Sequence, residues 1–424
     1  FNSVWSAMVL RAVSQDNCRI ESLLRLGRDS SQAEVCAILR SEISNATRYV
    51  SGGRLQHTLE ALAERGQSTL IFRALEFLSR DGRVRLDARK YVVGISSCSR
   101  SKMWQHACCL FASMPGATAL PNVFAYNAVI SACEKSQEWQ QALSLFQSMA
   151  LAFVRPTVVS FSAAMTSCQR SGQWQQAIGF FKGIFRASLQ PDVTSFNAVM
   201  SSCEKCGEWK QALAFLNNIV QARLQPDLFS YSAAVSACEK AELWEEALCL
   251  FGDMLIAQIL PDVVAFSAAI SACENVGKWQ QALELFSLMP GMQVQPNIFT
   301  FSAAISCCDK GGQWQLALSF STAMENARVQ ANVISLNAII SSCAKGEQWP
   351  LALLLLQAMP QTKVSPDVIS FNAAITSCEK GGQWQLALAL IEAMMDAWIQ
   401  PNDISFSAAI SSSEKGVLLA SKRC

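Results

Sequence analysis

The chain has 424 residues, of which 51% are hydrophobic and 16% charged, with 34 Lys and Arg against 33 Asp and Glu. This balance excludes an intrinsically disordered chain, and a net charge of +1 argues against a strongly basic, non-specific nucleic-acid binder. Two histidines are too few for a His-ligated metal site, and no apolar run of about 18 residues predicts a membrane-spanning helix.

The first 87 residues show no regular repeat, and we interpret them as a degenerate helical N-terminal region, or cap. Residues 20–48 are a candidate helical pair. Within residues 55–87 a faded hairpin pattern survives at Leu59, Leu62, Ala74, Leu75 and Leu78. Because the chain begins with Phe1 rather than Met, we expect the natural start, and any targeting segment, to lie upstream.

From residue 88 onward the sequence repeats with a period of 35 residues. One cysteine recurs at this spacing: Cys98, Cys133, Cys168, Cys203, Cys238, Cys273, Cys308, Cys343 and Cys378. One tryptophan follows the same count: Trp104, Trp139, Trp174, Trp209, Trp244, Trp279, Trp314, Trp349 and Trp384. A fixed period of this length is the signature of stacked structural repeats.

Each repeat contains two apolar helical stripes separated by a polar break. In residues 123–157 the first stripe is Tyr126, Val129, Ile130 and Cys133, and the second is Trp139, Ala142, Leu143, Phe146 and Met149. This spacing predicts a helix-turn-helix hairpin. One hairpin cannot bury both stripes, whereas stacked hairpins can.

The fold class predicted is therefore all-α, an α-solenoid superhelix of stacked 35-residue helix-turn-helix repeats. Nine repeats fill residues 88–402, and residues 403–424 form a truncated tenth. The nine are 88–122, 123–157, 158–192, 193–227, 228–262, 263–297, 298–332, 333–367 and 368–402. We number positions 1 to 35 within each repeat.

The cysteine and tryptophan series are interpreted as packing residues. Both share a helical face with core residues, and equivalent cysteines of neighbouring hairpins are expected to lie about 8–10 Å apart, too far for a disulfide. Cys203 and Cys206 form a single Cys-x-x-Cys pair without a second pair or a nearby histidine, which argues against zinc. We predict no catalytic residue, no metal, no cofactor and no enzyme activity, because phosphate loops, zinc-deaminase motifs and recurrent carboxylate pairs are absent from the sequence.

Two polar positions are not explained by a core. Position 5 is almost confined to Asn and Ser, and position 35, which follows the repeated proline, is Asp, Asn or Thr. Helix capping accounts for position 35. It does not account for the restriction at position 5, which favours a functional role for the pair.

These features resemble the pentatricopeptide repeat family of RNA-binding α-solenoids, in its plain P type. The segments 368–375 and 379–388, together with Met394 and the pair Pro401 and Asn402, look like the motif of that family. The resemblance covers residues 88–424. The constant tryptophan departs from the usual motif, and we interpret it as a packing variant.

The resemblance implies binding of single-stranded RNA with one base per repeat, read by positions 5 and 35, with the N-terminus facing the RNA 5′ end. The implied pairs, in order, are Ser162 with Asp192 for G, Asn197 with Asp227 for U, Ser232 with Asp262 for G, Ser267 with Asn297 for A, Ser302 with Asn332 for A, Asn337 with Asp367 for U, and Asn372 with Asn402 for C or U. The expected core site is 5′-GUGAAU[C/U]-3′.

The resemblance further implies that position 2 sandwiches the bases. Its residues are Phe124, Val159, Thr194, Phe229, Val264, Phe299, Ile334 and Ile369. Position 13 is a candidate phosphate contact or, equally, a cation that stabilises a helix C-terminus. Its residues here are Lys135, Arg170, Lys205, Lys240, Lys310, Lys345 and Lys380.

Charge limits this prediction, because residues 88–424 carry 22 Lys and Arg against 23 Asp and Glu. The alternative is a protein-binding helical-repeat scaffold, although tetratricopeptide repeats have a period of 34. The prediction is an RNA adaptor in organellar RNA processing or stabilisation, in plastid or mitochondrion by resemblance, with protein processing factors as possible partners and no membrane.

Overall fold

The structure, a computed structural model, describes residues 52–81, 86–115 and 119–421. These residues form 21 α-helices and one 3₁₀ turn, and the described part contains no strand. The predicted helical pair at residues 20–48 lies outside the described residues. The chain is an all-α helical repeat solenoid, as the repeat pattern predicts.

The helices alternate between the two halves of successive hairpins. In chain order they are α1 (Gly52–Glu64), α2 (Ser68–Asp81), α3 (Ala88–Arg100), α4 (Trp104–Ser113), α5 (Val123–Lys135), α6 (Trp139–Leu151), α7 (Val158–Arg170), α8 (Trp174–Arg186), α9 (Val193–Lys205), α10 (Trp209–Gln221), α11 (Leu228–Lys240), α12 (Trp244–Ile256), α13 (Val263–Val276), α14 (Trp279–Gly291), α15 (Ile298–Lys310), α16 (Trp314–Asn326), α17 (Val333–Lys345), α18 (Trp349–Ala358), α19 (Val368–Lys380), α20 (Trp384–Asp396) and α21 (Asp403–Ser421). The 3₁₀ turn, Met359–Thr362, follows α18.

The repeat at residues 298–332 shows why each hairpin begins and turns where it does. The side chain of Asn297 accepts hydrogen bonds from the backbone N–H groups of Phe299 and Thr300, both at 3.0 Å, which caps α15. After Lys310, Gly312 adopts a left-handed φ of +67°, and the N–H of Gln313 donates to the carbonyl of Cys308 at 2.9 Å. This Schellman-type ending satisfies a carbonyl that the helix leaves unpaired.

The two helices of a hairpin approach closely because an alanine lies between them. Position 20 is a fully buried alanine in nine consecutive hairpins: Ala107, Ala142, Ala177, Ala212, Ala247, Ala282, Ala317, Ala352 and Ala387. A larger side chain at this contact would push the helices apart.

The repeated cysteines lie in the core, and all nine are free thiols without solvent exposure. Burial raises the pKa of Cys168 to about 11. At neutral pH the Cys168 thiol is therefore protonated, and the buried cysteines pack as small apolar side chains.

Three of the repeated tryptophans contact a glycine at the turn of the next hairpin. The indole of Trp279 lies directly against Gly311 at the turn of the next hairpin, where an added Cβ would lie 2.8 Å from the ring Cγ. Trp314 and Gly346, and Trp349 and Gly381, show the same arrangement. This contact agrees with the interpretation of the tryptophan as a packing variant.

The chain divides into two compact units, Phe1–Cys206 and Gly207–Cys424. In the first unit, α3, α5, α7 and α9 pack in sequence, each against the next. The hairpin of α1 and α2 packs against α3, and its Leu59, Leu62 and Leu75 are buried.

In the second unit, α11, α13, α15, α17, α19 and α21 pack in the same way. Helix α21 runs for 19 residues, whereas α19 ends after 13 residues at Lys380. No helix in the described ranges is long and apolar enough to span a membrane.

Candidate nucleic-acid interface

Position 2 of the first helix is an exposed apolar side chain in seven of the nine full repeats. The seven apolar members are each 53–73% exposed, and Thr194 is also exposed. They are Phe124, Val159, Phe229, Val264, Phe299, Ile334 and Ile369. Packing within the protein therefore does not explain why these residues are apolar.

Position 35 caps the first helix of the following repeat with one oxygen of its side chain. Oδ1 of Asp192 accepts from the N–H of Ser195 at 2.9 Å, and Oδ1 of Asn332 accepts from the N–H of Ser335 at 2.8 Å. Capping needs only an acceptor, which Asp and Asn supply equally. The second atom of the side chain differs between them, because Oδ2 accepts a hydrogen bond whereas Nδ2 donates one.

Two aspartates at position 35, Asp192 and Asp367, have a lowered pKa and are ionised at neutral pH. Burial alone raises the pKa of Asp192, but hydrogen bonds from the side chain and backbone of Ser195 and from Thr194 hold the net pKa below its usual value. Asp367 follows the same balance: burial raises its pKa, and hydrogen bonds from Ser370 and Asn337 lower it further than burial raises it. Each remains a carboxylate and therefore an acceptor only.

Positions 5 and 35 meet directly in two described pairs. Nδ2 of Asn337 donates to Oδ1 of Asp367 at 3.0 Å, and Nδ2 of Asn372 donates to Oδ1 of Asn402 at 3.1 Å. Each pair joins residues 30 positions apart, at the junction of two consecutive first helices. These pairs place an amide and a carboxylate, or two amides, side by side.

The serines at position 5 behave differently. The hydroxyls of Ser232 and Ser302 are buried without a hydrogen-bond partner, whereas Ser267 donates to the carbonyl of Val263 at 2.6 Å. Ser162 lies 3.1 Å from Ser195, whose hydroxyl donates to Asp192 at 2.6 Å. Asn197 lies on α9 of the first unit, and Asp227 caps α11 of the second.

The structure adds position 3, which the sequence interpretation missed. The hydroxyl of Ser370 donates to Oδ1 of Asn337 at 2.6 Å and accepts from the N–H of Asp367 at 3.1 Å. Position 3 therefore contacts both members of the position 5 and position 35 pair. A sequence signal was available, since position 3 is Ser or Thr in most repeats although it is buried.

Position 13 carries cations that neighbour carboxylates at position 12 of the preceding repeat. Nζ of Lys345 lies 2.9 Å from Oδ2 of Asp309. Burial raises the pKa of Glu134, and the nearby charge of Arg170 partly offsets this; Lys310 acts in the same way on Glu274. The row of cations is thus partly neutralised within the protein, which agrees with the near-zero net charge.

One groove in the second unit brings these positions together. It has a volume of about 460 Å³ and lies along α17, α19 and the start of α21. Its lining includes Asn337, Asn372 and Asn402 from the polar pairs, Ile369 from the exposed apolar row, and Lys380 from position 13. The described residues contain no cluster of His, Cys, Asp or Glu that could hold a metal ion.

Sequence comparison decides the family. The PPR repeat family matches residues 121–170, 191–240 and 261–310, the pentatricopeptide repeat domain matches 319–383 and 354–413, and a single PPR repeat matches 229–259. The chain belongs to the pentatricopeptide repeat family. No curated protein sequence matches it.

Solved structures of this family share the fold. The pentatricopeptide repeat protein PPR10 from maize superposes with a TM-score of 0.51 at 20% identity, over 95% of this chain and 66% of that one. PPR10 in complex with an 18-nt psaJ RNA element gives a TM-score of 0.51 at 19% identity, with the same coverage. The chain thus spans about two thirds of the length of PPR10.

Proposed function

We propose that the chain binds single-stranded RNA sequence-selectively, one base per pentatricopeptide repeat. The observation that carries this proposal is the pairing of positions 5 and 35 beside an exposed apolar row, as at Asn337, Asp367 and Ile369. A groove that binds a peptide would not need a pair of positions that, apart from Val92, is confined to Asn, Ser, Asp and Thr. The bound RNA element of PPR10, which shares the fold, supports the same interpretation.

Base recognition follows from the side-chain atom at position 35 that does not cap the helix, which is Oδ2 in Asp and Nδ2 in Asn. Guanine and uracil present a ring N–H, which suits the carboxylate oxygen of Asp. Adenine and cytosine present an unprotonated ring nitrogen, which suits the amide N–H of Asn. At position 5 a small Ser leaves room for a purine, and Asn fills the space beside a pyrimidine.

These rules give the proposed core site 5′-GUGAAU[C/U]-3′. The guanine readers are Ser162 with Asp192 and Ser232 with Asp262. The adenine readers are Ser267 with Asn297 and Ser302 with Asn332. The pyrimidine readers are Asn197 with Asp227, Asn337 with Asp367, and Asn372 with Asn402.

Position 2 supplies the base-independent part of binding. Its exposed side chains at successive repeats, such as Phe299 and Ile334, are apolar surfaces against which bases can stack. Position 13 supplies phosphate contacts through exposed cations such as Lys205, Lys310 and Lys380. Because residues 88–424 have more acidic than basic side chains, binding relies on base contacts and its salt dependence is shallow.

By covering a strand, such a chain would act as an adaptor of the plain P type in organellar RNA processing or stabilisation. Covering the strand blocks nucleases, opens RNA structure or positions a processing factor. Localisation in plastid or mitochondrion is part of this proposal and rests on family resemblance.

The test is equilibrium binding of the purified chain to a single-stranded RNA that contains GUGAAUC. The control RNA replaces the two central adenines with cytosines, which leaves length and charge unchanged. We expect at least about tenfold tighter binding to the first RNA, since each mismatched base costs roughly 1–3 kcal/mol in nucleic-acid recognition. Equal or undetectable binding would reject the proposal and favour a protein-binding scaffold.

A further inference from the structure

We propose that the hydroxyl at position 3 is a positioning residue for RNA base recognition, which orients the Asn at position 5 of the preceding repeat. The inference rests on the proposed function and adds a third residue to the pair that reads each base. It applies to pyrimidine-reading repeats, in which position 5 is Asn.

The contact recurs wherever the described structure shows an Asn at position 5 with its following repeat in the same unit. Oδ1 of Asn127 accepts from Ser160 at 2.6 Å, and Oδ1 of Asn372 accepts from Ser405 at 2.5 Å. The third case is Asn337 with Ser370, at 2.6 Å. All three serines are fully buried, so no water competes for these hydrogen bonds.

The backbone N–H of the cap residue donates to the position 3 hydroxyl, so the hydroxyl is left to donate its one proton. Oγ of Ser370 accepts from the N–H of Asp367, and Oγ of Ser405 accepts from the N–H of Asn402, both at 3.1 Å. Two side-chain acceptors lie within reach of that proton. For Ser370 the Asn oxygen is at 2.6 Å and Oδ1 of Asp367 at 2.9 Å, and for Ser405 the corresponding distances are 2.5 and 3.0 Å, so the shorter contact in both repeats is to the Asn at position 5. The side-chain oxygen of the Asn is therefore already hydrogen-bonded, and its N–H₂ group is directed toward the residue at position 35.

This hydrogen bond fixes the side-chain N–H₂ group of the Asn as a hydrogen-bond donor in the groove. Nδ2 of Asn337 faces Asp367, and Nδ2 of Asn372 faces Asn402. Without the hydroxyl, Oδ1 of a buried Asn would lack a donor, and the amide could rotate or withdraw from the site. An unsatisfied buried acceptor is costly, so the side chain would leave its present position.

The sequence agrees with a position 3 hydroxyl that serves the Asn, rather than the Ser, at position 5. Each Asn at position 5 is followed 33 residues later by Ser, at Ser160, Ser230, Ser370 and Ser405. The serines at position 5 are followed by Ser, Thr or Ala, as with Ser232 and Ala265. The hydroxyl of Ser302 forms no hydrogen bond with that of Ser335, which instead donates to the carbonyl of Asn332 at 3.0 Å.

The pair Ser370 and Ser335 gives a matched test. Both hydroxyls accept from the N–H of the preceding cap residue at 3.1 Å and both are fully buried. Only Ser370 contacts a position 5 side chain; its hydroxyl also lies 2.9 Å from Oδ1 of Asp367, whereas that of Ser335 donates to a backbone carbonyl. The variants are Ser370→Ala, Ser370→Thr and Ser335→Ala. Binding is measured to GUGAAUC and to the same RNA with its sixth base, U, replaced by G.

For Ser370→Ala we expect the preference for U over G at the sixth base to fall about tenfold, the size of one lost discriminating contact. Ser370→Thr retains a hydroxyl, so we expect it to retain the preference for U over G. Ser335→Ala keeps the sixth-base preference, although it loses the same capping contact.

An unchanged preference in Ser370→Ala, or an equal loss in Ser335→Ala, would overturn the inference while leaving the proposed function intact. No preference in the parent chain would overturn both. If Ser370→Ala unfolds, the variant Ser405→Ala provides the same test at the seventh base. Its binding is then compared between GUGAAUC and the same RNA with the seventh base, a pyrimidine, replaced by a purine.

Discussion

Nδ2 of Asn337 donates to Oδ1 of Asp367 at 3.0 Å, although the two residues belong to the first helices of different repeats. The same Oδ1 accepts from the N–H of Ser370 at 2.8 Å. One oxygen thus serves both the helix cap and the neighbouring amide. Oδ2 remains as the acceptor that can distinguish one base from another.

This arrangement predicts how pH affects stability. Hydrogen bonds hold the folded-state pKa of Asp367 below its unfolded value, despite burial. A group with a depressed pKa stabilises the fold above its unfolded pKa, and the contribution is lost as pH falls through the folded value. We expect a constant Tm from pH 8 to about pH 5 and a fall below roughly pH 4, the usual range of aspartate titration. In Asp367→Asn the acid-induced fall should be smaller, and a parent Tm that falls between pH 8 and pH 6 would contradict this account.

The exposed apolar row predicts separate effects on binding and stability. Phe299 is 70% exposed, whereas Phe301, two residues later on α15, is 2% exposed. Phe299→Ala should weaken RNA binding by about 1–3 kcal/mol, the cost of one lost stacking contact, and leave Tm nearly unchanged. Phe301→Ala, as the control, should cost about 3–5 kcal/mol of folding stability. A loss of Tm without loss of binding in Phe299→Ala would assign position 2 to packing.

The cations at position 13 should contribute unequally to phosphate binding. Lys345 is paired with Asp309, whereas Lys380 is exposed on the groove. Lys380→Ala should reduce the slope of log K against log salt by about 0.7, the value for one phosphate contact to a single strand. Lys345→Ala should reduce it less, because its ion pair must first break. Unchanged slopes in both variants would leave position 13 with a structural role alone.

The contact between tryptophan and glycine predicts a stability effect far from the polar pairs. A Cβ at Gly311 would overlap the indole of Trp279, so Gly311→Ala should destabilise the fold by about 1–3 kcal/mol. Gly179 in α8 has no atom within 4 Å of an added Cβ, so Gly179→Ala should be neutral or stabilise by about 0.5–1 kcal/mol. Chemical denaturation measures both, and equal effects would contradict the packing role of the tryptophan.

The sequence was sufficient to predict the helical repeat, because each hairpin is specified by local spacing. Tyr126, Val129, Ile130 and Cys133 mark one helical face, and all four are buried. The cap at position 35 could be predicted for the same reason, since Asn297 and the helix it caps are adjacent in sequence.

Contacts between repeats could not be predicted from spacing alone. Ser370 meets Asn337 and Lys345 meets Asp309 across 33 and 36 residues. Whether residues so far apart in sequence come into contact depends on how one hairpin packs against the next. Side-chain periodicity within a single helix does not determine that packing. The contribution of position 3 to the site was missed for this reason.

The central claim is that positions 5 and 35 read RNA bases in the order of the repeats. The most direct measurement compares the parent chain with a double variant, Asn297→Asp and Asn332→Asp, for binding to GUGAAUC and GUGGGUC. Both substitutions preserve the capping oxygen and change only the second atom from donor to acceptor. We predict that the parent prefers GUGAAUC and that the variant prefers GUGGGUC. An unchanged preference in the variant, at an unchanged Tm, would contradict the claim.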